Sequence, residues 1–310
     1  MPVLDEERHL AHAVGSVLAQ EYPGEMEVVL AIGPSKDRTL EVARALAGKD
    51  SRISLVDNPS GRTPDALNAA LGAARHEIVV RMDGHGELSS GYVARAVEVL
   101  LETGAANVGG IMLAEGVSDF EKAVAVAMRS PLGVGGARFH VGGTPGPALS
   151  VYLGAFQRDW LRRVGGYDGS YARAQDWEMN YRIRRAGGTV WFTPDLTVTY
   201  RPRSSLRALG RQYFRTGQFR RRLVRQHPAS VNHRYLAPPI TVVAVLAGAA
   251  GGLAWRPLWT VPLAYAAAVS VGGVVIGARE GIPVAARVPA VLATMHLAWG
   301  AGFLRGSGRR

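Results

Sequence analysis

The sequence predicts an α/β fold with a Rossmann-like, mostly parallel sheet, followed by a C-terminal helical membrane region. Three observations predict it. Strand-like apolar runs alternate with helical segments through the first third of the chain, the β-α-β-α-β order that builds a parallel sheet with helices on both faces. One run, Ile78-Val79-Val80-Arg81-Met82, packs apolar residues without strict alternation, as in strands buried on both faces, and leads into Asp83-Gly84-His85. From Leu236 onward the chain turns Ala/Val/Leu/Gly-rich in three apolar stretches, at 237–255, 258–278 and 286–304. Each is near the ~20 residues that a membrane-spanning helix needs.

Composition bounds the chemistry. The 310 residues carry a formal charge of +11, almost wholly from Arg, since Lys occurs only at 36, 49 and 122. That balance suits phosphate-bearing or anionic partners. With no Cys, a disulfide framework, a thiolate nucleophile and a Cys-type zinc site are excluded, and any metal must use oxygen and imidazole ligands.

In chain order, a helix is expected over 6–20 with only a scrap of apolar chain before it, so the first strand reads as truncated. A strand (26–32), a loop (33–37), a helix (38–47) and a strand (53–56) follow. Asn58-Pro59-Ser60-Gly61-Arg62 has turn chemistry, and Thr63 is expected to cap a helix that Pro64 opens and that runs to Ala74. After the central strand come a helix (90–102), a strand (108–113), a Gly-rich stretch from Gly133 to Gly146 that reads as a mobile loop, and a strand (151–156). Gly165-Gly166-Tyr167-Asp168 reads as a turn, and Gln175-Asp176-Trp177-Glu178 opens a helix that stops at Gly187-Gly188, before two short strands at 189–192 and 196–200. Residues 205–226 form a basic amphipathic helix, with Arg207, Arg211, Arg215, Arg220, Arg221, Arg222 and Arg225 interleaved with apolar residues. Placed just before apolar spans, it reads as lying in an anionic headgroup layer rather than on nucleic acid. The expected domains are 1–203 for the catalytic α/β part, 204–235 for basic interface helices and 236–310 for two or three transmembrane helices. Three spans would set Arg305, Arg309 and Arg310 on the outer side, against the positive-inside tendency.

The stretches that follow, in this order and spacing, make residues 1 to about 225 resemble an inverting family 2 glycosyltransferase of the GT-A fold, in the membrane-associated branch that serves succinoglycan-type exopolysaccharide synthesis. Pro2-Val3-Leu4-Asp5-Glu6-Glu7 is similar to the family's opening Pro-x-x-Asn-Glu-Glu loop, and Gly61-Arg62 with Ala66-Leu67-Asn68 to its Gly-Lys and Ala-Leu-Asn segment. Asp83-Gly84-His85 stands at the Asp-x-Asp position. Gln175-Asp176-Trp177-Glu178 stands at the Glu-Asp catalytic motif, and Gln212-Tyr213-Phe214-Arg215 at the Gln-x-x-Arg that precedes the membrane part.

The resemblance implies a nucleotide-sugar donor held by Pro2, Leu4, Glu6, Asp37, Arg62, Asp83, Gln212 and Arg215, a divalent metal on Asp83 and His85, and Asp176 as general base. The family's base-contacting Asp at the end of the second strand is Ile32 here, so a UDP-sugar is the first choice of donor without that position to specify it. Imidazole at position 85 favours Mn²⁺ over Mg²⁺, which prefers hard oxygen ligands. Bland readings stand beside these: Asp176 as an N-cap, Arg62 as a solvated loop Arg, Arg215 as part of the lipid-facing stripe, and Trp177 as packing rather than a sugar platform. His296, inside an apolar stretch, has no assigned role.

The expected activity is sugar transfer to a lipid-linked saccharide by a multi-pass plasma-membrane enzyme, with membrane lipids as partners, no nucleic acid, and the catalytic part cytosolic. The alternatives are a polyprenyl-phosphate sugar synthase and a degenerate transferase kept as a membrane scaffold.

Overall fold

The computed structural model describes residues 1–171 and 174–306. They fall into two compact units, each discontinuous in sequence: 1–113 with 142–200, and 114–141 with 201–310. The sequence-derived boundaries at 203/204 and 235/236 do not foresee that residues 114–141 leave the first unit for the second.

The first unit opens with β1 (Pro2–Val3), α1 (Leu10–Leu18), β2 (Val28–Ile32), α2 (Thr39–Ala47), β3 (Ile53–Asp57), α3 (Thr63–Ala73) and β4 (Ile78–Val80). β1, β2 and β3 form a parallel sheet in that order, with Pro2 opposite Ala31 and Val28 opposite Ile53. All five residues of β2 are buried, as continuous apolar runs in parallel sheets require. Arg62, in an extended conformation, is the residue before α3, so Thr63 and Pro64 are already helical and Thr63 does not act as the expected cap.

β5 (Glu87–Leu88), α4 (Tyr92–Thr103) and β6 (Asn107–Ala114) follow. The chain then leaves for the second unit through α5 (Asp119–Met128), α6 (Pro131–Val134) and α7 (Arg138–Val141), so part of the expected Gly-rich loop is two short helices. α5 starts in a complete capping box between Ser118 and Glu121, a signal present in the sequence. The first unit resumes with β7 (Gly146–Pro147), β8 (Tyr152–Gln157), α8 (Arg158–Arg163), α9 (Gln175–Arg185) and β9 (Val190–Tyr200).

The second sheet runs β4-β8-β6-β9-β5, with β7 also on β9. The β4/β8, β6/β8, β5/β9 and β7/β9 pairs are antiparallel, so the parallel expectation holds for the first sheet and the whole fold is mixed. β4 is not central but the edge strand of this sheet, and its three residues are half-buried. An apolar run reports what its faces meet and is silent on what its edges pair with. No ladder joins the first sheet to β4; because β1 pairs only with Ala31 and Ile32, Met1, Val28 and Val29 on one side and Ile78 and Val80 on the other line a mainly apolar cavity of about 440 Å³. β9 is one strand rather than two, because Pro194 falls in the gap between its short partners β7, opposite Trp191 and Phe192, and β5, opposite Val198 and Thr199.

In the second unit α10 (Leu206–Gln226), α11 (His233–Gly252), α12 (Thr260–Gly277), α13 (Ile282–Ala285) and α14 (Val288–Arg305) follow. Three segments, Arg234–Gly252, Arg256–Glu280 and Ile282–Arg305, are long and apolar enough to cross a membrane. α10 packs lengthwise on α14. Small residues permit the approach: a Cβ on Gly217 would lie 2.1 Å from the Trp299 carbonyl oxygen, and one on Gly302 2.0 Å from that of Phe214. Arg221 donates to the Phe303 and Leu304 carbonyls at the end of α14, which lack helical partners. Arg207, Arg211, Arg215 and Arg225 stay exposed, so α10 keeps a basic face while its other face is used for packing. His296 is a satisfied side chain, with Nε2 2.8 Å from the Leu132 carbonyl and Nδ1 3.3 Å from the Tyr265 hydroxyl. Arg305 closes α14, whereas Arg309 and Arg310 lie outside the described residues.

Candidate active site

The site of the first unit is built where β4 ends. Three residues past that strand, Asp83 begins a turn closed by the Gly86 amide donating to the Asp83 carbonyl at 3.0 Å. Between Asp83 and His85, Gly84 admits the β1 loop: a Cβ there would sit 3.1 Å from Glu6 Cγ and 3.5 Å from the Pro2 carbonyl. This brings Glu6 to His85, with Oε1 2.6 Å from Nδ1. A carboxylate on one imidazole nitrogen fixes the ring and its tautomer, the arrangement that commonly orients a metal-binding His through its other nitrogen. Glu6 is therefore placed to orient His85.

Arg81 is the residue the sequence reading passed over. It is only 5% exposed, and its guanidinium donates to Asp83 Oδ1 at 3.0 Å through one terminal nitrogen and to Asp176 Oδ1 through the other. Asp83 and Asp176, 93 positions apart in the chain, thus converge on one buried cation. Burial works against the charge on Arg81, but the field and hydrogen bond of Asp83 together with the Tyr167 and Tyr152 hydroxyls outweigh it. Burial likewise pushes the Asp83 carboxyl up, but Arg81, and less strongly His85, hold it below the ordinary carboxylate range. A charged residue inside an otherwise apolar strand run was the available signal, since an unpaired charge there would be prohibitively costly.

A second network holds the wall of the site. Asn68 donates to the Tyr167 carbonyl and accepts from the Tyr167 amide, both at 2.7 Å. From the other side Arg182 donates to the Val164 and Gly166 carbonyls while forming a two-point ion pair with Glu178, which is 2% exposed. The Gly165-to-Asp168 turn is thereby clamped by α3 and α9, and the Tyr167 ring centroid lies 6.0 Å from the Arg81 guanidinium carbon. Asp176 stands in the first turn of α9, where no side-chain cap bond forms from the residue before the helix, Ala174. Its carboxylate is turned to Arg81, so the N-cap reading of Asp176 does not describe it.

The remaining sequence candidates are placed as follows. Asp37 accepts from the amides of Glu7 and Thr39 and from the Thr39 hydroxyl, tying the β2–α2 loop to the β1 loop; these hydrogen bonds, the Thr39 hydroxyl first, hold its carboxyl below the usual range. Arg62 pairs with Asp65 at 2.7 Å and donates to the Gly169 carbonyl at 3.2 Å, so it is tethered while its side chain stays solvent-exposed. Pro2 lies in β1 against Gly84, and Leu4 is exposed beside Gly33 and Gly61. Gln212 and Arg215 lie on α10 of the second unit, where Gln212 accepts from Arg203 at 2.9 Å and Arg215 is exposed. Among the described residues no three His, Asp or Glu side chains gather into a metal site.

Residues 1–165 match the family described as Glycosyl transferase family 2. The succinoglycan biosynthesis protein ExoA of Rhizobium meliloti (strain 1021) is 34% identical over 310 residues, spanning 98% of this chain and 93% of its own. A dolichyl N-acetyl-alpha-D-glucosaminyl phosphate 3-beta-D-2,3-diacetamido-2,3-dideoxy-beta-D-glucuronosyltransferase of Methanococcus voltae is 22% identical over 237 residues, 73% of each chain. Among solved structures, the mannosyltransferase PcManGT of Pyrobaculum calidifontis, in complex with GDP-Man and Mn²⁺, matches with a TM-score of 0.61 at 20% identity, covering 95% of this chain and 84% of its own. S. aureus TarS 1–349 in complex with UDP matches with a TM-score of 0.51 at 18% identity, over 67% of this chain and 62% of its own. The fold and these matches define a glycosyltransferase of the GT-A type, an enzyme. The chain belongs to glycosyltransferase family 2.

Proposed function

We propose that this enzyme transfers a sugar, with inversion, from a nucleotide-sugar donor to a lipid-linked saccharide at the cytosolic face of the plasma membrane, in exopolysaccharide or cell-envelope glycan synthesis. The observation that carries the reading is the convergence of Asp83 and Asp176 on Arg81. Inverting transfer is one in-line displacement, which needs a base on the acceptor hydroxyl beside a place for the departing diphosphate. Asp176 takes the proton of the acceptor hydroxyl as that oxygen attacks the anomeric carbon, and the bond to the diphosphate oxygen breaks. Arg81 keeps the Asp176 carboxylate aimed, and the clamped Tyr167 turn keeps Arg81 in place.

Asp83 and His85 supply one carboxylate and one imidazole, a donor set too small for a closed cage and suited to a cation that keeps positions open for diphosphate oxygens and water. Such a cation would neutralise charge on the departing diphosphate. Imidazole ligation favours Mn²⁺ over Mg²⁺, and the Mn²⁺ in the P. calidifontis structure supports a divalent metal. Gln212 and Arg215 are proposed to meet the donor or acceptor from α10, and Pro2, Leu4, Asp37 and Arg62 to shape the nucleotide side.

Three apolar segments and the exposed basic face of α10 support a multi-pass protein in contact with anionic lipid. The lipid-linked acceptor is supported by the relation to ExoA and to the M. voltae transferase.

A panel of nucleotide sugars tests the proposal, with donor hydrolysis and transfer measured in Mn²⁺ and in Mg²⁺. One nucleotide sugar, expected to be a UDP-sugar, should be turned over, and faster in Mn²⁺. Equal or better rates in Mg²⁺ would count against His85 as a ligand. Absence of turnover with every donor and both metals would favour a scaffold. Product formed on bare polyprenyl phosphate would replace saccharide extension by carrier charging.

A further inference from the structure

We propose that Arg81 is a built-in counter-cation that competes with the divalent metal for Asp83 and couples that carboxylate to Asp176, so that metal binds tightly only when the donor diphosphate arrives with it. The inference rests on the metal and base roles assigned above to Asp83 and Asp176. Arg81 is buried and holds both carboxylates at once, 3.0 Å from Asp83 on one arm and on Asp176 with the other. A planar guanidinium can serve two carboxylates from its two ends, which an ammonium cannot do with the same geometry.

The position of this cation is not adjustable at small cost. Its Nε is buried and has no hydrogen-bond partner, and the Tyr167 ring beside it is fixed through the backbone clamp of Asn68. With Asp83 and Asp176 ionised, two negative charges face one positive charge. A divalent ion approaching Asp83 therefore meets a fixed like charge on the same carboxylate, which weakens its binding. A diphosphate adds negative charge on the metal's open side and offsets that repulsion. By linkage, donor and metal then tighten each other by the same factor.

Mn²⁺ binding to the full-length protein without donor, followed by the paramagnetic resonance signal of free Mn²⁺, tests this. Asp83→Asn should abolish binding. Arg81→Met should bind Mn²⁺ about tenfold more tightly than the native protein, because the competing charge is gone. Arg81→Lys, which keeps the charge, should stay near the native affinity. Asp176→Asn should weaken Mn²⁺ binding several-fold, since Arg81 is then balanced by Asp83 alone, and this effect should vanish in the Arg81→Met background.

If Arg81→Met binds Mn²⁺ no better than native while Asp83→Asn still abolishes binding, the inference is overturned and the metal site stands. If Asp83→Asn leaves Mn²⁺ binding intact, the metal role of Asp83 fails instead. Should Arg81→Met not fold, Asp176→Asn decides alone: unchanged Mn²⁺ affinity overturns the coupling.

Discussion

Asp176→Asn is expected to lower transfer by about two to four orders of magnitude, the usual contribution of a positioned general base. The amide matches the carboxylate in shape, and Asp176 contacts Arg81 rather than the β1 loop or the Asp83 turn. Donor binding at saturating Mn²⁺ should therefore be close to native. Turnover and donor binding measured on the same preparation separate the two effects, and turnover near the native rate would remove Asp176 from the mechanism. The companion variant Trp177→Ala distinguishes a base from a helix that is merely disturbed, since it alters the same first turn of α9 without touching the carboxylate.

Arg182→Met is expected to give the largest loss of stability. It removes the two-point ion pair that Arg182 makes with Glu178, 2% exposed, and breaking a buried pair from one side costs about 3–5 kcal/mol. The Val164 and Gly166 carbonyls lose their donor at the same time. Thermal unfolding of the detergent-solubilised protein should show a clear drop in midpoint. Glu178→Gln in the Arg182→Met background should recover part of it, because a neutral amide costs less to bury than a carboxylate that has lost its Arg182 partner. Transfer should fall in both variants, since the turn that carries Tyr167 to Arg81 loses one of its two clamps. A midpoint unchanged from native would show that the pair is dispensable.

How much of this was legible depended on whether local chemistry or long-range pairing decided the element. α9 was readable from Gln175 to Arg185 because a Gly pair stops it, and α10 because Ser205 caps it, accepting from the Ala208 amide. Asp83, His85 and Asp176 were legible through motif order. What was not legible were partners distant in sequence. Nothing near Glu6 announces His85, 79 positions away, and nothing near Asn68 announces the Tyr167 backbone, 99 positions away. Arg81 was visible as an oddity in an apolar run, yet its role needed both acids in view. The antiparallel second sheet was hidden for a related reason: strand runs such as Tyr152–Gln157 carry no mark of the direction of the neighbour they will meet. α5 was missed although its capping box lay in plain sequence, because Gly-rich chain on its far side suggested a loop.

The absence of a ladder between the first sheet and β4 bears on motion as well as on packing. The first sheet carries Leu4 and Asp37, the second Asp83 and, through α9, Asp176. Backbone hydrogen bonds hold each sheet internally, but between the strands that flank the cavity there are none to transmit a shift from one to the other. Side-chain links, among them Glu6 to His85, Arg62 to the Gly169 carbonyl and Asn68 to the Tyr167 backbone, span the gap on the face of the site. The two sides of the cavity, proposed above to hold the nucleotide and the metal, can therefore breathe as two partly independent cooperative units. A donor touching both would act as the missing crosslink, slowing local opening on both sides of the cavity at once.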